Sequence, residues 1–152
     1  MKALLVIDVT ESYLKNYNHY KYDEAITTFL NNLEKRLQDL QNELVYIFFD
    51  VVGNSAPDNL REYWHMHTVI EKPEWSAFSK KGFHKELQDK GITLLEICGL
   101  FTQFCVLETV QDALKLGYDV VVNPHLILGD GGELGEGLWL LQKIENEKLT
   151  IL

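Results

Sequence analysis

Thr93-Leu-Leu-Glu-Ile-Cys98, a turn from Gly99 to Thr102, Gln103 to Leu116 closed by Gly117, and Asp119-Val-Val-Val122 follow one another without interruption. The outer runs are short, apolar and β-branched, as buried strands are, and the segment between them is long enough for a helix. Strand, helix, strand in this order is a βα unit of a parallel sheet covered on both faces.

The same alternation extends in both directions. Toward the N-terminus, Ala3-Leu-Leu-Val-Ile7 reads as a strand, and Asp23 can cap a helix whose buried stripe is Ile26, Leu30, Leu33, Leu37 and Leu40. Leu44-Val-Tyr-Ile-Phe-Phe49 is a second strand. Gly53, Asn54, Ser55, Pro57 and Asp58 break regular structure before His67-Thr-Val-Ile-Glu71, a short strand running into Lys72. Phe83 to Lys90 forms a short helix closed by Gly91, where a left-handed residue costs little. Toward the C-terminus, a glycine-rich loop from Gly129 to Gly137 leads into a helix through Lys143, and Lys148 to Leu152 supplies the last strand.

The 152 residues, 46% hydrophobic, suffice for one domain with a substantial core, expected to span 1–152. A formal charge of -9 argues against a nucleic-acid or anionic-membrane partner, because phosphate binding needs a basic face. A small-molecule substrate is the expectation. Asp8 ends the first apolar run too early for a signal-peptide core or a membrane span, so a cytoplasmic location is expected. Cys98 and Cys105 form neither a CxxC pair nor a zinc-type set, and no disulfide is expected.

In an open parallel sheet, ligands bind outside the carboxyl ends of the strands, where strand order reverses. Three chemically able residues map to that edge: Asp8 after the first strand, Lys72 after the third, and Cys105 in the first turn of the helix after the fourth. A thiol attacks carbonyl carbon as thiolate, so it needs a lowered pKa or an adjacent base. The helix N-terminus favours the anion, Asp8 could accept the proton, and Lys72 could hold both by charge. Bland roles compete with these. Carboxylates cap turns, lysines are usually solvated, and cysteine is among the most buried residue types.

The residues around the three positions resemble those of the isochorismatase-like cysteine hydrolases, the superfamily of nicotinamidase and N-carbamoylsarcosine amidohydrolase. Ala3-Leu-Leu-Val-Ile-Asp8-Val is similar to that family's opening strand and catalytic aspartate, and Glu71-Lys72-Pro-Glu-Trp-Ser-Ala-Phe78 to the segment carrying its lysine. Gly91 to Val106 resembles the nucleophile strand and turn, and Gln111 to Val120 the helix and strand that follow. The resemblance implies a three-layer α/β/α sandwich, Rossmann-like, with a six-stranded parallel sheet. It implies a cis peptide between Leu100 and Phe101 and an oxyanion hole from the N–H groups of Phe101 and Cys105. The implied chemistry is hydrolysis of an amide-type C–N bond through a thioester, by an Asp8-Lys72-Cys105 triad. Homo-oligomers, dimers or tetramers, are common in the family.

Some features depart from that pattern. Where a nicotinamidase carries an Asp-x-His metal motif, this chain has Asp50-Val51-Val52, although His65 and His67 follow in a loop and could in principle join Asp50 around a metal. The expectation is no metal and no cofactor. Thr10 stands where many relatives have glutamine, and a covering loop is expected to be trimmed or borrowed from a partner subunit. Trp75, Phe104, Tyr63 and Trp64 are candidates for pocket walls, although core packing explains aromatic residues equally well. Gly129 to Gly137 fails as a dinucleotide fingerprint, since Leu134 stands at the third glycine and Asp130, Glu133 and Glu136 would repel a pyrophosphate. The competing readings are a non-catalytic relative binding a small molecule or partner through the same pocket, and, last, a redox protein using Cys105 with Cys98.

Overall fold

The structure is a computed structural model that describes residues 1–15, 17, 23–40, 43–130 and 135–152. Its strands are β1 (Lys2–Ile7), β2 (Leu44–Phe49), β3 (Thr68–Glu71), β4 (Leu94–Leu100), β5 (Asp119–Val122), β6 (Ile127–Leu128) and β7 (Leu149–Ile151). Six of them lie side by side in the order β3-β2-β1-β4-β5-β7, and β6 pairs with the end of β4. Every pairing is parallel. The helices are α1 (Glu11–Leu14), α2 (Glu24–Asp39), α3 (Arg61–Met66), α4 (Phe83–Asp89), α5 (Leu107–Lys115) and α6 (Gly135–Gln142).

The period of two along β1 sorts the core into two halves. Leu4 and Val6 pack with Ile26, Phe29, Leu33 and Leu37 of α2 and with Tyr63 of α3. Ala3, Leu5 and Ile7 pack with Phe83 and Leu87 of α4, Val110 and Ala113 of α5, and Leu141 of α6. Helices therefore cover both faces, and the fold has three layers. Asp23 caps α2 by accepting from the Ile26 N–H at 3.1 Å. Arg36 of α2 pairs with Glu96 of β4 at 2.5 Å, which satisfies the one carboxylate within β4.

Some elements differ from the expectation. Phe29 takes the buried place in α2 and Leu30 is only partly buried, because both positions lie on the same stripe and the aromatic ring reaches further in. The residues from Asp58 to Met66 form a 3₁₀ turn and α3, so His65 sits on a helix and His67 at its C-terminal end, not in a loop. β4 runs on to Leu100, where β6 supplies its last hydrogen-bonded neighbours. Of the glycine-rich loop, residues 131–134 lie outside the described residues, while Gly137 lies within α6. Among the described residues no helix is long and apolar enough to cross a membrane.

Candidate active site

The direction of chain progression reverses between β1 and β4: β1 leads to β2 on one side, and β4 leads to β5 on the other. A crevice at the carboxyl ends of two such strands is where open α/β sheets bind ligands. Asp8 leaves β1 there with φ of 54°, a left-handed conformation that aspartate tolerates better than most residues. Its N–H donates to Phe48 O at 3.0 Å, and its own carbonyl accepts from Thr10 N at 2.9 Å. Gly99 of β4 is required beside it, because a Cβ at that position would collide with the Ile7 backbone.

After β4 the Leu100–Phe101 peptide bond is cis. The carbonyl of Phe101 accepts from Phe104 N at 3.0 Å and from Val106 N at 3.2 Å. The second of these is an i→i+5 bond, so Thr102–Val106 winds as a π turn before α5 begins. Such widened turns are frequent at functional sites. Cys105 sits within this turn, 6% exposed.

Lys72 follows β3, its N–H donating to Phe49 O at 2.8 Å, and its side chain turns inward until only 1% of the residue is exposed. The segment behind it is fixed by serines. Ser76 Oγ accepts from Phe78 N at 3.1 Å, and Ser79 Oγ donates to Ser76 O at 2.6 Å while accepting from Glu74 N.

The structure thus brings Asp8, Lys72 and Cys105 together from positions far apart in sequence. Lys72 Nζ lies 2.9 Å from Asp8 Oδ2, 3.7 Å from Cys105 Sγ and 3.1 Å from Glu74 O, to which it donates. Burial raises the Asp8 carboxyl above its ordinary range, against the pull of Lys72. Burial and the negative Asp8 push the Cys105 thiol up to about 12, against the pull of Lys72. This corrects the expectation of a thiol lowered by the helix end. Desolvation and a carboxylate in contact outweigh the partial charge of a helix terminus. The resting thiol keeps its proton and has a base beside it.

The other residues singled out from sequence divide. Trp75 and Phe104 meet edge to face at 5.4 Å and are half exposed and just exposed, respectively, beside Lys72 and Cys105. Tyr63 is no pocket wall: it is 2% exposed in the core beneath α2, because its place on the short α3 turns it inward. Trp64 stacks on Phe49 at 5.8 Å and packs against the same core. Cys98 and Cys105 belong to opposite faces of the sheet and are both free thiols, which removes the redox pairing.

The donor set does not fit a metal. Among the described residues there is no group of three or more His, Cys, Asp or Glu side chains able to hold one. Asp50 is instead occupied as an acceptor, taking hydrogen bonds from the Tyr13 hydroxyl and from the N–H groups of Val52 and Gly53. His67 is partly buried, and desolvation lowers its pKa.

Tyr13 was not singled out from sequence. Its ring meets Phe101 edge to face at 5.4 Å, and its hydroxyl is pushed well above the usual range, first by burial and then by the Asp50 carboxylate. Thr109, fully buried, links the turn that carries Cys105 to the segment that follows Lys72. A tyrosine in a four-residue helix and a threonine inside a longer one carry no period or motif that would mark them.

Residues 2–125 match the Isochorismatase domain family. The chain is similar to the streptothricin hydrolase of Streptomyces noursei, 25% identical over 134 residues that cover 82% of this chain and 48% of the relative. It therefore spans about half the length of that relative. Its fold is similar to the pyrazinamidase/nicotinamidase of Streptococcus mutans UA159, with a TM-score of 0.84, 17% identity and all of both chains covered. It is also similar to the N-carbamoylsarcosine amidase of Thermoplasma acidophilum, with a TM-score of 0.80, 17% identity, and 99% of this chain and 94% of that one covered. With the α/β/α layering, the parallel sheet and a family match over most of its length, the chain belongs to the isochorismatase-like hydrolase family.

Proposed function

We propose that this protein is a cysteine-dependent amidohydrolase that cleaves an amide-type C–N bond of a small molecule through a thioester on Cys105. The observation that carries the reading is Lys72 Nζ standing within 2.9 Å of Asp8 and 3.7 Å of Cys105 in a buried site. A lysine withdrawn so completely from water has a structural cost that two partners of complementary chemistry offset.

Asp8 acts as general base and then as general acid. As the sulfur attacks the carbonyl carbon, the thiol proton passes to the Asp8 carboxylate. Lys72 balances the charge that passes between oxygen and sulfur. The oxyanion is held by the N–H groups of Phe101 and Cys105, each donor of this kind being worth about 3 kcal/mol where one has been removed. Asp8 returns the proton to the leaving nitrogen as the C–N bond breaks, releasing amine or ammonia. Water then gives its proton to Asp8 and its oxygen to the acyl carbon, and the thioester opens to acid and regenerated thiol. Trp75 and Phe104 would flank the acyl group. The amidase names among similar proteins support the choice of bond, and the unfitted donor set favours hydrolysis without a metal.

The test is turnover of a panel of small amides, carbamoyl compounds and lactams by wild type, Cys105→Ser and Asp8→Asn. Both variants are expected to lose at least about a hundredfold in kcat, the lower range for a lost acid-base group. Unchanged turnover in both would end the reading.

A further inference from the structure

We infer that Thr109 is a positioning residue, its hydroxyl clamping the segment that carries Lys72 onto the turn that carries Cys105. This inference rests on the reading of Asp8, Lys72 and Cys105 as a hydrolytic triad.

Thr109 lies on the first turn of α5 and is fully buried. Its Oγ1 donates to the Cys105 carbonyl at 2.7 Å. A hydroxyl bonding back to the carbonyl four residues earlier is common in helices. The unusual half is the other bond: the same oxygen accepts from Ala77 N at 3.1 Å, across thirty-two positions of sequence. Having given its proton to Cys105 O, the hydroxyl has only lone pairs to offer Ala77, so the two bonds fit one oxygen without competition.

The connection spans both halves of the site. Ala77 opens the 3₁₀ turn that Ser76 caps, and this turn closes the segment from Lys72 through Glu74, whose carbonyl holds Lys72 Nζ. Cys105 carries the thiol itself. Among the described residues, Thr109 joins these two segments by hydrogen bonds alongside the 3.7 Å contact between Nζ and Sγ, and the bridge is made of rigid parts: backbone, a β-branched side chain, backbone. Valine at 109 keeps the shape, but leaves Ala77 N–H without its acceptor and Cys105 O without its donor. The lysine segment then loses its fixed distance to the sulfur. Among the described residues, the titratable groups coupled to the thiol are Asp8 after β1, Lys72 after β3 and the neutral hydroxyl of Tyr13 on α1. Of these three, Lys72 stabilises the thiolate, so its retreat raises the thiol pKa further.

The experiment measures the rate of Cys105 alkylation by iodoacetamide against pH, read at the Cys105 peptide, for wild type, Thr109→Val and Thr109→Ser, with folding checked by circular dichroism. Thr109→Val is expected to react about tenfold more slowly near neutral pH, the effect of one unit in the thiol pKa. Thr109→Ser, which keeps the hydroxyl, is expected to follow wild type. On an amide that wild type hydrolyses, the valine variant should lose kcat with KM little changed. A wild-type alkylation profile in Thr109→Val overturns the inference, and so does a serine variant as slow as the valine one, since the methyl group would then be what matters. Should Thr109→Val not fold, Thr109→Ala, whose vacated space can admit water to Ala77 N–H, is read in its place with the same two outcomes. Alkylation needs no substrate, so failure here is distinct from failure of the triad reading, which Cys105→Ser turnover decides.

Discussion

Cys105 is a buried thiol in contact with a carboxylate and a lysine, and its reactivity follows from that company. With burial and Asp8 pushing it up to about 12, its alkylation by iodoacetamide is expected to climb steadily between about pH 7 and about pH 10, near tenfold per unit. A plateau below about pH 8 would show a preformed thiolate instead. Asp8 has the opposite requirement, since it must be ionised to accept the proton. Its pKa is raised by burial, so the acid limb of kcat/KM should lie above the ordinary carboxylate range. The same shift enters stability. Between the ordinary aspartate value and the raised folded one, the native state binds more protons than the unfolded chain, so the Asp8 contribution falls as pH rises through that window. Urea midpoints of wild type and Asp8→Asn should therefore change relative to each other across it, with wild type losing ground toward neutral pH. Asp8, Lys72 and Cys105 could be read from sequence because Asp8 and Lys72 directly follow strands and Cys105 lies in the turn just beyond one, and strand ends are where a parallel sheet presents chemistry. Tyr13 and Thr109 could not, because their roles come from partners thirty or more positions away.

The strands and the long helices were legible for a simple reason: apolar runs of period two or 3.6 are buried by the sheet they form. The short elements were not. α3 follows a run of turn residues and is too brief for its period to show, and β6 is a two-residue strand that exists only because β4 ends beside it. The π turn at Cys105 leaves no mark in composition, since it depends on which N–H reaches the Phe101 carbonyl. Two substitutions test how these elements hold the site. Gly99→Ala would drive a methyl group into the Ile7 backbone at φ of 115°, and is expected to cost about 3 kcal/mol or more and to displace Asp8. Leu33→Ala, in the middle of α2 and away from the site, should cost about 2–5 kcal/mol while leaving KM unchanged. Denaturant midpoints with kinetics on the folded fraction check both. A Gly99→Ala protein as stable and active as wild type would contradict the close approach of β1 and β4.

The whole sheet is arranged so that one crevice, between β1 and β4, gathers side chains from three separate βα connections. The two core halves hold that arrangement from either face, and the Arg36–Glu96 pair ties α2 to the strand that leads to Cys105. The proposed chemistry uses the chain's own groups, because Asp50 is taken up by Tyr13 and by backbone donors. Dialysis against EDTA is accordingly expected to leave turnover unchanged, and elemental analysis of freshly purified protein to find no stoichiometric metal; a metal at one per chain with loss of activity on its removal would contradict this. The central claim is covalent chemistry at Cys105. Mass spectrometry of protein quenched during turnover of an amide should find the Cys105 peptide heavier by the acyl group, with no such adduct in Cys105→Ser. Full turnover by Cys105→Ser, with no acyl group on the wild-type Cys105 peptide, would contradict it.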